Sequence, residues 1–309
     1  MKILVTGVNG QLGHDVVNEL AARGHEGIGS GSSTEYHGLA DGSAAAGPYV
    51  QMDITDSENV RKVMEKIRPD AVIHCAAWTA VDAAEDQENQ AKVQAVNEQG
   101  TKNIAHLCKE MEAKMLYIST DYVFDGQGTE PWKADCRTFA PVNEYGKSKL
   151  EGEMAVKELL EKYFIVRIAW VFGLNGNNFV KTMLKVGKTH DTLRVVNDQI
   201  GTPTYTKDLA RLLVDMIESD KYGVYHATNE GGFISWYDFA REIFRQAGYA
   251  TRVIPVTTEE YGLSRAKRPY NSRLDKSKLK EQGFKLLPDW KDAVGRYLEE
   301  LGELVNVTI

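Results

Sequence analysis

The chain lacks the features that mark secreted, disulfide-stabilised and membrane-spanning proteins. Its 309 residues include only three cysteines, Cys75, Cys108 and Cys136, an odd number spaced too widely for a disulfide framework or a zinc site. It has no apolar run of about eighteen residues, the length that spans a bilayer. The apolar start at residues 1–7 is too short for a secretory signal. We therefore expect a cytoplasmic protein with no membrane partner.

The sequence also lacks an excess of basic residues. Its 37 Lys and Arg are outnumbered by 44 Asp and Glu, which gives a net charge of −7. Binding to nucleic acid requires a basic face, so we expect no nucleic-acid partner, although a local site could still bind an anionic small molecule. Hydrophobic residues make up 42% and charged residues 26% of the chain, as is typical of globular proteins.

Strand and helix signals alternate through the first half of the chain. Short apolar segments predict strands at residues 2–6, 26–30, 49–52, 71–75, 114–119 and 165–170. Helical signals separate most of them, and Thr55-x-x-Glu58 predicts a capping box at the start of one helix. This order predicts an α/β fold with a doubly wound, mainly parallel Rossmann sheet and helices on both of its faces.

The second half of the chain is less regular and predicts a smaller, mixed α/β substrate-binding domain. We expect a dinucleotide-binding domain at residues 1–172, to which residues 203–228 return, and a substrate-binding domain over the rest of residues 173–309. Residues 29–48 are rich in Gly, Ser and Ala without periodicity, and they predict a mobile loop.

A glycine-rich turn (residues 7–13) joins the first predicted strand to the first helix. Glycine recurs there at every third residue, which lets the backbone approach a pyrophosphate, while the helix N-terminus offers free N–H groups and a positive dipole end. A turn without a ligand is the alternative, but the strand–turn–helix context favours a dinucleotide. The predicted contacts are Gly7, Asn9, Gly10, Gln11 and Leu12.

The second strand carries no acidic residue that could bind the ribose 2′-hydroxyl of NAD. Ser30 and its small neighbours could accept a 2′-phosphate instead, which favours NADPH and leaves NADH possible. Asp53 and Ile54 follow the third strand, where they could contact adenine or simply form a turn. Ala76 and Ala77 end the fourth strand, where small residues leave room for a ribose or serve helix packing.

Tyr145 and Lys149 lie four residues apart at the start of a helical segment, so their side chains share one helix face. A neighbouring ammonium can lower the pKa of a phenol from about 10 towards 7, but only in a cleft that partly excludes water. The spacing also fits a solvated surface pair. Ser119 and Thr120 end the fifth strand, where a hydroxyl could bond a substrate carbonyl or form a turn.

These motifs resemble those of the extended short-chain dehydrogenases/reductases, and in particular the dTDP-4-dehydrorhamnose reductase family. Residues 76–82 and 198–204 carry the more specific matches. Further matching segments are residues 10–13, 119–124, 145–149, 178–180 and 268–272. The resemblance implies a two-domain fold and the NAD(P)H-dependent reduction of the 4-keto group of dTDP-4-dehydro-L-rhamnose.

The resemblance also implies roles for single residues. Thr120, Tyr145 and Lys149 match the catalytic threonine, tyrosine and lysine, with Tyr145 as the proton donor. Residues expected at the sugar nucleotide are Thr79, Val81, Tyr122, Trp170, Asn178 and Phe179. Thr79 is also expected to contact the cofactor. Arg268 is a candidate for the diphosphate, or else forms a surface salt bridge. Some family members bind Mg²⁺ through glutamates at a dimer contact. We identify no matching glutamates, so we assign no metal ligand and leave a homodimer possible.

Two kinds of alternative share this scaffold: a nucleotide-sugar epimerase or dehydratase, and a non-catalytic regulatory subunit. A nucleotide-sugar epimerase would purify with bound NAD and give no net oxidation of cofactor. A regulatory subunit resembling that of methionine adenosyltransferase would bind a partner enzyme, but it would not need the set of Thr120, Tyr145 and Lys149. A dehydratase would require a carboxylate pair after the fifth strand, whereas Asp121 is followed by Tyr122.

Overall fold

The computed structural model describes residues 1–39 and 42–304. Its strands are β1 (Lys2–Thr6), β2 (Glu26–Gly31), β3 (Tyr49–Gln51), β4 (Ala71–His74), β5 (Lys114–Thr120), β6 (Tyr163–Ile168), β7 (Val171–Phe172), β8 (Thr192–Val196), β9 (Ile200–Gly201), β10 (Thr204–Tyr205), β11 (Gly223–His226), β12 (Asn229–Glu230), β13 (Ile234–Ser235), β14 (Arg252–Val256) and β15 (Leu287–Asp289). Its α-helices are α1 (Gln11–Ala22), α2 (Ser57–Ile67), α3 (Val81–Ala84), α4 (Gln87–Gln94), α5 (Thr101–Glu110), α6 (Glu144–Leu159), α7 (Phe179–Gly187), α8 (Thr206–Ile217), α9 (Trp236–Ala247), α10 (Thr258–Tyr261), α11 (Ser277–Glu281) and α12 (Trp290–Glu300). Within the described ranges, no helix combines the length and the apolar character needed to cross a membrane.

A seven-stranded parallel sheet with the order β11-β6-β5-β4-β1-β2-β3 forms the centre of the molecule. Most residues of its inner strands are apolar and buried because helices cover both faces. Helices α1 and α8 pack on one face through Val16, Leu20, Leu209 and Leu213. Helices α2, α5 and α6 supply the core of the other face. The predicted doubly wound sheet is confirmed.

The second half of the chain builds a smaller unit around helices α7, α9 and α12. Their apolar faces form one cluster that includes Val180, Leu184, Phe239, Ile243 and Val294. Strands β8 and β14 pair in parallel, and short strands pair as β7 with β10, β12 with β15 and β9 with β13. Only the pair of β9 and β13 is antiparallel among the described strand pairs.

Two local predictions are wrong. Helix α2 is capped by Asp56, whose carboxylate accepts the N–H groups of Glu58 and Asn59, while the Thr55 hydroxyl donates to Asp53. The predicted strand at 165–170 lies two residues earlier, at β6.

The loop predicted at residues 29–48 is shorter than expected. Strand β2 continues to Gly31, and a 3₁₀ turn occupies Ala44–Ala46. Residues 40 and 41 of that loop, and residues 305–309 of the predicted second domain, lie outside the described residues.

Candidate active site

The glycine-rich turn lies at the edge of the sheet where the parallel strands β1, β4 and β5 all end. Gly7 has φ +70°, and a Cβ there would come within 2.7 Å of the Ala76 nitrogen. A Cβ on Gly13 would come within 2.5 Å of the Gly7 oxygen. Helix α1 follows with Gly10 as its N-cap, so no capping side chain occupies its first turn. This compact backbone cradle and helix N-terminus fit a pyrophosphate.

A segment from the second half of the chain crosses this cradle; we call residues 173–178 the strap. The Asn175 amide donates to the carbonyl oxygens of Asn9 at 3.1 Å and Gly10 at 3.3 Å. The Asn178 amide donates to Gln11 Oε1 at 3.0 Å, and its Oδ1 accepts the Lys181 N–H. The side-chain hydrogen-bonding groups of Asn178 are thereby engaged within the protein, and its contact with substrate stays a prediction.

The residues predicted to hold the adenosine half of a cofactor differ in exposure. Ser30 is buried inside β2, and its hydroxyl donates to the Val5 carbonyl at 3.4 Å. The Ser30 hydroxyl is therefore directed at the backbone of β1 in this structure, and its contact with a 2′-phosphate stays a prediction. Asp53 is exposed after β3, whereas the Ile54 side chain is buried in the core. The Ala76 N–H donates to the Thr6 hydroxyl at 3.1 Å.

Tyr145 and Lys149 lie one turn apart near the N-terminus of α6. The Asn143 side chain caps this helix by accepting the Gly146 N–H at 2.8 Å. Gly146 permits a close approach, since a Cβ there would come within 2.3 Å of the Tyr122 carbonyl oxygen. The two predicted catalytic residues therefore lie together, against the 3₁₀ turn that follows β5.

The electrostatics of the pair differ from the expectation. Burial raises the pKa of Tyr145, while a hydrogen bond with Thr120 works in the opposite direction. Burial lowers the pKa of Lys149 to about 7, and its ammonium lies 4.1 Å from the centroid of the Tyr117 ring. Because Lys149 packs against Tyr117, the predicted lowering of the Tyr145 pKa by Lys149 is not observed in this structure.

Thr120 is the hydroxyl that faces Tyr145. It donates to Asp121 Oδ1 at 3.0 Å and accepts the Tyr122 N–H at 3.2 Å. Ser119, the neighbour with the same chemistry, instead donates to Glu153 Oε1 at 2.6 Å. Successive side chains of a strand point to opposite faces of the sheet. Thr120 therefore faces Tyr145, whereas Ser119 faces Glu153. The Tyr122 ring meets the Tyr145 ring edge-on at 5.5 Å.

A buried ion pair lies behind this face of α6 and was not predicted from the sequence. Glu153 and Arg167 are almost fully buried and share two hydrogen bonds of 2.7 Å. Lys157 reaches Glu153 at 3.0 Å, and the Arg167 guanidinium lies over the rings of Phe124 and Phe139. The Glu153 carboxylate also accepts the Ser119 hydroxyl, so this network supports the end of β5 that carries Thr120.

Trp170 follows β6 with φ +52°, a left-handed conformation that is strained for a residue other than glycine. Its indole stacks on Trp236 with ring centroids 3.8 Å apart. A Cβ on Gly201 would come within 2.9 Å of the Trp170 ring. Phe179 stacks on Phe239 and meets Trp236 at a tilt of 52°, and it packs partly buried against the core of the smaller unit. The predicted contact of Phe179 with the sugar stays a prediction.

Arg268 has protein partners in this structure. Its guanidinium bonds Asp82 at 2.6 Å and the Tyr122 hydroxyl at 3.2 Å. Asp82 Oδ1 also accepts the N–H groups of Arg265 and Ala266. Asp82 lies in α3 next to Val81, which is half-buried, while Thr79 is exposed. Asp82 thus ties the loop after β4 to the loop that carries Arg268.

In the part of the chain that the structure describes, no three His, Cys, Asp or Glu side chains lie close enough together to hold a metal ion.

Comparison with known proteins agrees with this architecture over almost the whole chain. The sequence profile of the family described as RmlD substrate binding domain matches residues 1–303. The spore coat polysaccharide biosynthesis protein SpsK of Bacillus subtilis (strain 168) is 38% identical over 299 residues, which cover 97% of each chain.

Two solved structures are also similar to this chain. A dTDP-4-dehydrorhamnose reductase from Clostridium acetobutylicum is 43% identical, with a TM-score of 0.87 over 98% of this chain and 100% of the other. A dTDP-4-dehydrorhamnose reductase from Bacillus anthracis, in complex with NADP, is 39% identical, with a TM-score of 0.86 over 97% of this chain and 100% of the other. The chain therefore belongs to the RmlD substrate binding domain family, together with proteins named dTDP-4-dehydrorhamnose reductase.

Proposed function

We propose that this protein uses NADPH to reduce the 4-keto group of dTDP-4-dehydro-L-rhamnose, which gives dTDP-L-rhamnose. The observation that carries the proposal is the assembly of Thr120, Tyr145 and Lys149 at the sheet edge that also carries the glycine-rich turn. Relatives named for this reaction, one of them solved with NADP, support the same conclusion.

The proposed cofactor site consists of the backbone of the glycine-rich turn, with Gly7, Asn9, Gly10, Gln11 and Leu12 around the pyrophosphate. Asp53, Ile54, Ala76, Ala77 and Thr79 continue this site towards the adenosine and the nicotinamide ribose. Lys149 would hold that ribose. When bound, NADPH supplies the hydride, and the positive charge that its ring gains on oxidation stabilises a phenolate at Tyr145.

Tyr145 is the proposed proton donor. Burial raises its pKa, so the phenol keeps its proton at neutral pH until negative charge develops on the substrate oxygen. A hydroxyl from Thr120 stabilises the phenolate that remains, and such preorganised hydrogen bonds gain strength as charge develops. Lys149 is buried, so its charge acts over a low local dielectric whenever the ammonium is protonated.

The proposed substrate site lies between the loop after β4 and the loop of Arg268. Val81, Tyr122 and Trp170 would line the sugar, and Arg268 would bind the diphosphate in competition with Asp82. We propose the same division of the chain that the sequence predicts. Residues 1–172 with 203–228 would bind the cofactor, and the remaining residues 173–304 would bind the sugar nucleotide; strand β11 in the central sheet supports this division.

The test is a spectrophotometric assay with NADPH or NADH and dTDP-4-dehydro-L-rhamnose, with and without a chelator. We expect oxidation of NADPH in step with formation of dTDP-L-rhamnose. Formation of an epimerised keto-sugar without net oxidation of cofactor would contradict the proposal.

Replacing Gly13 with alanine should weaken NADPH binding by at least about tenfold, or about 1.4 kcal/mol. The new Cβ would come within 2.5 Å of the Gly7 oxygen and 2.9 Å of the Val8 Cα, so the backbone of the turn has to move. Gly27→Ala is the matched control, because its Cβ meets the Leu20 side chain at an ordinary 3.4 Å. Fluorescence titration with NADPH measures both variants, and a Gly13→Ala affinity equal to that of the control would contradict this account of the turn.

A further inference from the structure

Asp121 is a buried carboxyl group next to the catalytic threonine, and the reaction described above gives it no role. Its side chain is 2% exposed. Oδ1 accepts the Thr120 hydroxyl, Oδ2 has no hydrogen bond of good geometry among the described residues, and the Ser272 hydroxyl is close enough to interact with the carboxyl group. A buried carboxylate that no cation neutralises lowers stability. The position therefore carries a cost that packing alone does not explain.

The surroundings of Asp121 contain few charged groups. Tyr145 faces it from α6, and Tyr122 follows it in the chain, with Arg268 and Asp82 beyond the Tyr122 hydroxyl. Ser272 lies close enough to lower the pKa of the Asp121 carboxyl, but burial dominates and raises that pKa to about 6. Asp121 can therefore gain and lose a proton close to neutral pH.

The hydrogen bonds of Thr120 can be counted completely. A hydroxyl has one hydrogen to donate and two lone pairs that accept. With Asp121 ionised, Thr120 gives its hydrogen to Asp121 and one lone pair to the Tyr122 N–H. Only the second lone pair is left for Tyr145, so the Tyr145 hydrogen must point at Thr120 and away from a substrate. With Asp121 protonated the order reverses: Asp121 donates to Thr120, Thr120 donates to the Tyr145 oxygen, and the Tyr145 hydrogen is free for the substrate.

We propose that the proton on Asp121 sets the direction of the hydrogen-bond chain Asp121–Thr120–Tyr145 and so decides whether Tyr145 can donate to the keto oxygen. Asp121 is a positioning residue in this scheme, because it acts on the substrate through Thr120 and Tyr145. The inference rests on the proposed reduction, in which Tyr145 gives its O–H proton to the oxygen of the reduced carbonyl and becomes a phenolate.

The test is the pH dependence of kcat/KM for the keto-sugar at saturating NADPH. For the wild type we expect a fall of about tenfold between about pH 5 and about pH 7, because the protonated fraction of a group with a pKa near 6 falls by that factor. Asp121→Asn removes the ionisation, so its kcat/KM should change by less than about twofold over the same range. Asp125→Asn is the matched control on the same loop; the Asp125 carboxylate accepts the Gln127 N–H, and this variant should keep the wild-type profile.

Ser272→Ala gives an independent test that keeps Asp121 in place. The Ser272 hydroxyl lowers the pKa of Asp121, so its removal should move the inflection to higher pH without abolishing it. Thermal unfolding at about pH 8 gives a second measurement. Asp121→Asn removes a buried charge and should raise Tm there, whereas loss of a purely structural residue would lower Tm. An inflection near pH 6 that survives in Asp121→Asn, or that Ser272→Ala leaves unmoved, overturns the proposal. Wild type that fails to reduce the keto-sugar at any pH overturns the proposed function itself.

Discussion

Tyr145→Phe should lower kcat for keto-sugar reduction by at least about a hundredfold, the lower range for loss of a general acid. The substitution removes only the hydroxyl that bonds Thr120, while the edge-on contact of the ring with Tyr122 remains. Binding of NADPH should change by less than about threefold, because the glycine-rich turn is untouched. Stopped-flow oxidation of NADPH measures the chemical step.

Tyr222→Phe is the matched control for this variant. Its hydroxyl donates to Asp220 just before β11, at the edge of the sheet opposite to the one that carries Thr120 and Tyr145. Full activity is expected for Tyr222→Phe. A Tyr145→Phe enzyme with kcat within about tenfold of wild type would exclude Tyr145 as the proton donor.

Arg167→Met should lower the free energy of unfolding by about 3–5 kcal/mol, the range measured when one partner of a buried ion pair is removed. Glu153 would keep Lys157 and Ser119 but lose the two hydrogen bonds from the guanidinium. Arg61→Met is the control, because its pair with Glu110 is exposed to solvent and should contribute little to stability. Urea denaturation measures both, and equal losses in the two variants would contradict the importance of this buried network.

The same network predicts how the protein responds to acid. Arg167 and Lys157 lower the pKa of Glu153 from 4.5 to about 2, against the effect of burial. A carboxyl group whose pKa is lowered by folding stabilises the protein above its unfolded pKa, and this contribution is lost as the pH falls towards the folded value. The Arg167→Met variant should therefore unfold at a higher pH than the wild type during acid titration.

The central sheet could be predicted because most of its strands are short, mainly apolar segments and its turns carry local signals. The glycine-rich turn and the sequence that surrounds Tyr145 are likewise local. The N-cap of α2 was missed because Asp56 offers the same acceptor oxygen as Thr55 one residue later. Helices α4 and α5 are joined by a π-helical segment at Ala95–Gly100, which no local signal in the sequence marks.

The contacts that could not be predicted join residues far apart in sequence. Arg268 and Asp82 are 186 positions apart, and both are as well suited to a ligand or to solvent as to each other. Asn178 and Phe179 lie in a segment that resembles a family motif, and their contacts with Gln11 and with Phe239 join them to residues 167 and 60 positions away. The buried carboxyl group of Asp121 gives no signal in the sequence, because an aspartate after a strand is ordinary in turns.

The strap over the glycine-rich turn limits how members of this family can recombine. Asn175 and Asn178 reach the turn from 165 or more positions further along the chain. A chimera could join the first 172 residues of this protein to the remainder of a distant relative. Its glycine-rich turn would then be contacted by the relative's side chains in place of Asn175 and Asn178. Crossover points that transfer residues 7–13 together with residues 173–178 preserve the hydrogen bonds between the strap and the glycine-rich turn.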